Sequence, residues 1–223
     1  YESITYCSDK AKNVETKNTK NSIYKKLSAV SLKNGYIVTA GVNPISTERA
    51  ETSVEIRLHE PVRKTEGIGC SFEATNELIS CFEQADNDVY CVYVHDDPLS
   101  LYSRIAMRHL AISGTQVQCG TEETIKVFYT SFNYLKAVRY NNEQALILFQ
   151  AAASFDNTGL DIDGKDLFLY QIKTAGGLGV VRYDYLYNDC TNKKNPEYEN
   201  ADISVFQEKL IYAVCESNGI LKG

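Results

Sequence analysis

An acidic segment between Ser154 and Gln171, "SFDNTGLDIDGKDLFLYQ", carries the residue types best suited to binding a metal ion. Carboxylate and amide side chains recur in it at short spacing: Asp156, Asn157, Asp161, Asp163 and Asp166. Neighbouring carboxylates repel one another unless solvent or a cation screens them. Calcium takes about six to eight oxygen ligands, and Gly164 would allow the sharp bend that such a loop needs. The segment therefore predicts a calcium loop, and the alternative is a solvated hairpin loop that binds nothing.

Part of this segment, "GLDIDGKDL", resembles the FG-GAP calcium loops of integrin-type β-propellers, which follow the pattern D-x-N/D-x-D-G-x-D-D. The matching positions are Asp161, Asp163, Gly164 and Asp166. The sequence departs from the pattern at Gly159, where the family has an acid, and at Leu167. The resemblance is confined to this loop, since the Phe-Gly and Gly-Ala-Pro signatures are absent. It implies one calcium ion held between adjacent strands of a propeller blade.

The chain has seven cysteines, and none of them forms a C-x-x-C pair. Cys81 and Cys91 flank a predicted hairpin tip, "CFEQADNDVYC". An antiparallel pairing centred near Asp86 would place them opposite each other, where a cross-strand disulfide can form. We therefore expect a secreted or cell-surface protein with disulfides. The alternative is a set of reduced, buried thiols that act as small hydrophobic side chains.

A repeated pattern predicts the fold class. A short strand leads through a polar turn into a buried apolar strand four times: "SAVSLKNGYIVTAG", "SFEATNELISCFEQ", "AVRYNNEQALILFQ" and "ISVFQEKLIYAVCE". Three copies continue into an alternating strand: "TSVEIRLHE", "NDVYCVYVHD" and "KDLFLYQIK". Such units have the size of β-propeller blades, about 40 to 65 residues. We predict an all-β fold of repeated antiparallel meanders that resembles a β-propeller, with a β-sandwich as the alternative. The segment "SLYSRIAMRHLAI" is the best helix candidate, although it fits a strand nearly as well.

The units are unevenly spaced. Their apolar centres Ile37, Ile79, Ile147 and Ile211 are separated by 42, 68 and 64 residues. We divide the chain into an N-terminal arm, residues 1–23, and a β-repeat domain, residues 24–223, of about four units with an incomplete last unit. Either the chain is a segment of a longer repeat protein, or "YESITYC" supplies the missing strand and closes a ring. Cys7 and Cys215 could latch that closure.

The composition limits the function. A formal net charge of -6 argues against a general nucleic-acid binder. No apolar run reaches the length of about 18 residues that predicts a membrane span. Neither a G-x-S-x-G elbow nor an H-E-x-x-H motif is present. His59 and His95 end corresponding alternating strands, which predicts a repeated structural role for both. We therefore predict a protein that is not an enzyme.

We expect a non-enzymatic extracellular β-repeat module for surface display, adhesion or structural assembly. Its partner would be another protein or further repeats of the same chain, because loops on a rigid scaffold commonly carry binding. One alternative is a secreted carbohydrate-binding or carbohydrate-active protein, although the chain has no Trp to stack on a sugar. Another is an intracellular propeller scaffold, which predicts that all seven cysteines are free thiols.

Overall fold

The computed structural model describes residues 3–6, 15–18, 26–44, 52–60, 65–67, 69–96, 102–128, 132–152, 165–175, 179–185, 198–206, 209–216 and 221–222. All regular secondary structure in these ranges is β-strand, so the all-β prediction is confirmed. The helix candidate "SLYSRIAMRHLAI" is wrong as a helix, because its residues 103–112 lie in a strand. Within the same ranges no helix is long and apolar enough to cross a membrane.

Eighteen strands are described. In chain order they are β1 (Ser3–Tyr6), β2 (Glu15–Asn18), β3 (Lys26–Ser31), β4 (Ile37–Pro44), β5 (Thr52–Glu60), β6 (Thr65–Gly67), β7 (Ser71–Ala74), β8 (Ile79–Ala85), β9 (Asp88–Asp96), β10 (Ser103–Ser113), β11 (Gln116–Phe128), β12 (Phe132–Arg139), β13 (Gln144–Ala152), β14 (Lys165–Lys173), β15 (Gly179–Tyr185), β16 (Tyr198–Phe206), β17 (Lys209–Glu216) and β18 (Leu221–Lys222).

Three antiparallel sheets with four strand positions each form the main body of the described structure. The first sheet runs β3-β4-β5, with β6 and β7 sharing the fourth position; the second runs β8-β9-β10-β11 and the third β12-β13-β14-β15. Strands β16, β17 and β18 form a smaller sheet, and β1 pairs with β2. Within each sheet consecutive strands are neighbours, apart from β7, which pairs with β5, so the predicted meanders are confirmed. Closure of the sheets into a propeller ring is not detected among the described pairings.

The fourth strand position of the first sheet is interrupted at Gly69. On one edge of β5, Leu58 pairs with Gly67 and Val54 pairs with Phe72, which differ in register by one residue. Between them the Ile56 amide donates to the Cys70 carbonyl at 2.8 Å. A Cβ atom on Gly69 would lie 1.6 Å from the Ile56 carbonyl oxygen. The connection between β6 and β7 passes so close to β5 at Gly69 that this position requires glycine.

The sequence pattern starts the second repeat unit one strand too early. The strand in "SFEA" is β7, which pairs with β5 in the first sheet, while Ile79 begins the first strand of the second sheet. A strand, turn and strand read the same in sequence whether they form a hairpin or connect two sheets. The second strands β4, β9, β13 and β17 begin 51, 56 and 65 residues apart, so the repeat is more regular than its apolar centres indicate.

The hydrophobic core lies between the sheets. Along β9, Val89 and Tyr93 share a buried cluster with Ile56 of the first sheet. Val92 and Val94 share a second cluster with the third sheet. Strand β9 is therefore buried on both faces, which explains why "VYCVYV" reads as a continuous apolar run.

The third sheet is covered in the same way. Ile147 and Phe149 face the second sheet's cluster, whereas Leu146 and Leu148 pack in a cluster that contains Ile203 of β16. Alternate residues of "ALILF" thus serve two different cores. Because both faces of β13 are buried, the third sheet is packed between the second sheet on one side and β16 on the other.

Candidate functional site

The turns that join the first two strands of each main sheet lie side by side. The Lys33 Nζ atom is 2.6 Å from the Asp86 carboxylate, and Asn34 Nδ2 donates to Asn87 Oδ1 at 2.6 Å. The Gln84 side-chain Nε2 atom donates to the backbone carbonyl of Asn141 at 2.6 Å. We call the exposed residues of these turns the tip surface: Lys33, Asn34, Gly35, Asp86, Asn87, Asn142 and Glu143.

Asparagine shapes these turns for local reasons. Asn34 Oδ1 accepts the Tyr36 amide at 2.9 Å, and Asn141 Oδ1 accepts the Glu143 amide at 2.9 Å. Asn87 itself has a φ of 67°, in the left-handed region that asparagine tolerates better than most residues. Asn34 and Asn87 thus both shape their turns and present polar groups at the tip surface.

Strand contacts beneath the turns fix the three sheets relative to one another. Ser28 Oγ of β3 accepts the Cys81 amide of β8 at 3.0 Å. Ser80 Oγ of β8 accepts the Ala137 amide of β12 at 2.9 Å. The Lys33 amide also donates to the Glu83 carboxylate at 3.3 Å. The tip surface is therefore a preorganised polar surface built from three sheets.

A second polar group, the Glu122 cluster, lies where the first and second sheets meet. Its members are Phe72, Tyr93, His95, Arg104, Arg108 and Glu122. Glu122 accepts hydrogen bonds from the Tyr93 hydroxyl at 2.7 Å and from Arg104 Nε at 2.8 Å. Arg108 Nε donates to the Tyr93 oxygen at 2.9 Å, and its guanidinium lies 4.8 Å from the centre of the Phe72 ring. Since Phe72 is in β7, the cluster joins both sheets.

The protonation states in the cluster follow from its surroundings. Burial, with the hydrogen bond to Glu122, raises the pKa of Tyr93 well above 10.0. Burial also raises the pKa of Glu122, but hydrogen bonds from Tyr93 and Arg104 and the charge of Arg104 outweigh it and hold that pKa below 4.5. Burial and then Arg104 lower the pKa of His95 below 6.5. At neutral pH Tyr93 is protonated, Glu122 is ionised and His95 is neutral, so the cluster acts as an electrostatic tie between strands.

His59 and His95, which the sequence pattern predicts to occupy equivalent positions in their repeat units, do not. His59 lies on β5, the third strand of its sheet, and its Nε2 atom is 2.8 Å from Thr39 Oγ1. His95 lies on β9, the second strand of its sheet, and its Nδ1 atom is 3.8 Å from Glu122. The prediction of one repeated role is therefore wrong, because the second unit begins one strand later than its sequence pattern indicates.

Two disulfides are present in the described structure. Cys81 and Cys91, the pair expected from the hairpin, are opposite residues of β8 and β9 and have Cα atoms 4.1 Å apart. Cys70 and Cys119 form the other disulfide, which the sequence did not single out. Their separation of 49 residues leaves no local signal. Two disulfides are consistent with an oxidising compartment.

The predicted latch of Cys7 and Cys215 stays a prediction. Cys7 lies outside the described residues. Cys215 is part of β17, with its backbone between Asn200 of β16 and Leu221 of β18. Strand β1, which would close the ring, is described in a pairing with β2 inside the predicted N-terminal arm.

The acidic segment connects two strands as expected, but most of it lies outside the described residues: Asp156, Asn157, Asp161 and Asp163. Asp166 lies in β14, opposite Ala151 of β13. The β13-to-β14 connection leaves the third sheet at the end opposite the tip surface. Within the described ranges no group of three or more His, Cys, Asp or Glu residues could hold a metal ion. Calcium binding by the segment stays a prediction.

The tip surface and the Glu122 cluster are thus two polar constellations within the described structure. The first is exposed and the second is largely enclosed between sheets, so the tip surface is the better candidate for contact with a partner. No family model matches the sequence, and no curated protein matches it either.

Proposed function

We propose that the chain is a non-enzymatic extracellular β-repeat module that presents a rigid surface to a protein partner, in surface display, adhesion or structural assembly. The observation that carries this proposal is the Cys70–Cys119 disulfide, which joins the segment between β6 and β7 of the first sheet to β11, the outer strand of the second sheet. Disulfides persist in oxidising compartments and are rare in the cytosol. A covalent link between sheets also suits a scaffold that must keep its shape outside the cell.

The stacking order supports a propeller-like arrangement of the sheets. Strand β8 packs against β3 on one side and β12 on the other, and β12 packs against β16. The first strands of consecutive sheets are thus consecutive neighbours. In a β-propeller the innermost strands of adjacent blades are related in this way. We propose that the sheets are blades of such an array.

The tip surface supports a binding role. Lys33, Asp86 and Asn87 are exposed, yet each is held by a contact between two sheets. Groups that are ordered before binding lose less conformational freedom when a partner docks. The mixture of amides with charges of both signs suits a polar protein surface better than a nucleic acid.

The Glu122 cluster supports the non-enzymatic part of the proposal. A general acid or base works best with a pKa near the working pH. Tyr93 and Glu122 are displaced in opposite directions away from that range. The Glu122 cluster therefore stabilises the fold, and neither Tyr93 nor Glu122 is poised to exchange protons at neutral pH.

The oxidation state provides the first test. Protein recovered from its native source is denatured without reductant, its free thiols are alkylated, and the linked peptides are mapped. We expect the Cys70–Cys119 and Cys81–Cys91 peptides to remain linked. Alkylation of all seven cysteines would overturn the extracellular proposal and favour an intracellular scaffold.

Cell-surface binding tests the tip surface. Labelled protein is titrated onto cells, and a Lys33→Ala/Asp86→Ala variant is compared with a Glu123→Ala/Lys126→Ala variant, which removes two exposed charges of opposite sign on β11 instead. We expect the first variant to weaken saturable binding about tenfold, or about 1.4 kcal/mol, and the second to bind as the unaltered protein does. Equal binding by both variants would contradict the role of the tip surface. Loss of binding after the cells are treated with glycosidases would favour a carbohydrate ligand.

A further inference from the structure

The turn between β3 and β4 contains the dipeptide Asn34-Gly35, and both residues are exposed on the tip surface. Gly35 has a φ of 86°, and a Cβ atom there would meet nothing within 4 Å, so the space around it is open. Asparagine is one of the chemically labile side chains of proteins. Glycine has no side chain to shield its own backbone nitrogen. The dipeptide therefore combines a labile side-chain amide with an unhindered backbone nitrogen next to it.

The reaction open to this pair is deamidation. The Gly35 backbone nitrogen gives up its proton to a base in the solvent and forms a bond to Asn34 Cγ. The bond between Cγ and Nδ2 breaks, the nitrogen takes up a proton and leaves as ammonia, and a cyclic imide remains. Water then adds to one of the imide carbonyls and opens the ring to aspartate or isoaspartate. Water is consumed and ammonia is released, so the reaction requires no oxidant, reductant or metal.

Three hydrogen bonds oppose this reaction in the folded chain. The Gly35 amide, whose nitrogen must lose its proton, donates to the Leu32 carbonyl at 2.9 Å. Asn34 Oδ1 accepts the Tyr36 amide at 2.9 Å, which fixes the orientation of the side-chain amide. Nδ2, the leaving nitrogen, therefore faces the second sheet and donates to Asn87 Oδ1 at 2.6 Å. Formation of the imide breaks the bonds to Leu32 and to Asn87.

These three bonds differ in what maintains them. The bonds to Leu32 and Tyr36 lie within the turn itself, so they form whenever the hairpin of β3 and β4 forms. The bond to Asn87 exists only while the first and second sheets are stacked at their tips. The neighbouring pair of Lys33 and Asp86, 2.6 Å apart, joins the same two turns. The stacking of two sheets therefore acts directly on the nitrogen that must leave.

We propose that Asn34 is a site of spontaneous deamidation, and that its hydrogen bond to Asn87 slows the reaction while the two sheets are stacked. Both products replace the amide that donates to Asn87 with a carboxylate. They add a negative charge to a surface that already presents Asp86. Isoaspartate also inserts its methylene group into the backbone of the turn. Deamidation would thus change the tip surface, and only this consequence rests on the binding role proposed above, because the reaction itself needs no partner.

Peptide mapping by mass spectrometry tests the proposal on the full chain, incubated in neutral buffer when folded and, in parallel, in urea. We expect the Asn34 peptide to gain the mass of an amide-to-acid conversion in both samples, and more slowly in the folded one. Asn87→Gly removes the Oδ1 acceptor and keeps a residue that tolerates the φ of 67° at this position. It should speed the reaction at Asn34 about fivefold in the folded chain, the effect of one hydrogen bond, and should change nothing in urea.

Asn142→Gly is the matched control, because it makes the same substitution at an exposed asparagine in the turn of the third sheet and should leave the rate at Asn34 unchanged. The other Asn-Gly pair of the chain, Asn218-Gly219, lies outside the described residues, and its peptide is followed separately. An Asn34 peptide that keeps its mass in the folded chain would overturn the proposal. So would an Asn87→Gly variant that reacts no faster than the unaltered chain, or equal acceleration by both glycine variants.

Discussion

Cys70 and Cys119 belong to different sheets, yet their Cα atoms lie 5.9 Å apart and their sulfur atoms are bonded. The bond joins the segment between β6 and β7 to strand β11, next to Gly120, whose carbonyl accepts a hydrogen bond from Arg108 of the Glu122 cluster. The outer part of this sheet boundary is therefore held by a covalent bond and an ionic network side by side. The inner part is held by apolar packing.

Removal of this disulfide should lower the stability of the fold, because the unfolded chain is then less restricted. A crosslink between residues 49 apart restricts the unfolded ensemble, and the loop-entropy relation gives about 4 kcal/mol for a loop of that length. We expect Cys70→Ala/Cys119→Ala to lower the free energy of unfolding by about that amount in a urea titration without reductant. In excess reductant the variant and the unaltered chain should differ far less. A gap that stays the same in reductant would show that the bond contributes through something other than chain restriction.

Gly69 should not tolerate a side chain. Alanine there would place its Cβ atom 1.6 Å from a backbone oxygen of Ile56, so either β5 or the connection between β6 and β7 must shift. We expect Gly69→Ala to reduce the free energy of unfolding by about 3 kcal/mol. Gly179→Ala is the matched control, since a Cβ atom there meets nothing within 4 Å. Similar stabilities for the two variants in parallel urea titrations would contradict a required glycine at the crossing.

Local relations were the ones that could be predicted from the sequence. Cys81 and Cys91 are paired by a single hairpin, whose turn and alternation are visible within a few residues. Partners such as Cys70 and Cys119 are brought together by the stacking of whole sheets, which leaves no trace in their spacing. The same limit explains the misplaced "SFEA" strand: its partner is β5, and the competing hairpin with β8 looks equally good in sequence.

The Glu122 cluster could not have been singled out. Glu122 is one of 29 acidic residues, and it lies in a largely exposed strand whose polar pattern predicts a solvated edge. Its partners Tyr93 and Arg104 belong to two other strands. Recognising that Glu122 meets Tyr93 and Arg104 requires knowledge of the register of β9, β10 and β11, including the two shifts between β10 and β11. Registers with shifts are not encoded in apolar alternation.

Tyr93 should contribute more through its hydroxyl than Tyr90 does. The Tyr93 hydroxyl donates to an ionised carboxylate, whereas the Tyr90 hydroxyl donates to the neutral Thr174 carbonyl at 3.0 Å. Bonds to charged groups are stronger, so we expect Tyr93→Phe to cost about 2 kcal/mol and Tyr90→Phe about 1 kcal/mol. Both variants lose one hydroxyl and keep the ring, so urea unfolding compares them directly. Adding Glu122→Gln to each variant should then show coupling with Tyr93 and none with Tyr90.

The acidic segment makes a separate prediction about calcium. If Asp161 and Asp163 are ligands, calcium binds the folded chain and stabilises it, by about 2.7 kcal/mol at a hundredfold excess over Kd. We expect calcium to raise the Tm of the chelator-treated protein, and Asp161→Asn/Asp163→Asn to abolish that rise. Magnesium at the same concentration is the control for ionic strength, because it fits large oxygen cages poorly. The same Tm with calcium and with chelator would identify the segment as a solvated loop.

His95 should make the fold sensitive to acid in a defined range. Burial and the neighbouring Arg104 lower its pKa in the folded chain below 6.5, although Glu122, Asp96 and Glu73 act in the opposite direction. Below pH 6.5 the unfolded chain therefore takes up this proton first, so stability falls as the pH falls from 6.5 towards the folded pKa, and this contribution is constant above and below that window.

We expect the midpoint of urea unfolding to decrease across that window in the unaltered chain and to decrease less in His95→Gln, which has no proton to bind there. Above pH 6.5 the difference between the two proteins should not change with pH, because His95 is neutral in both states. Glu122 cannot cause the same signal, since its folded pKa lies below 4.5 and its contribution is lost only at more acidic pH. A chain that became more stable on acidification through this window would mean that the Glu122 carboxylate, 3.8 Å away, outweighs burial and Arg104 at His95.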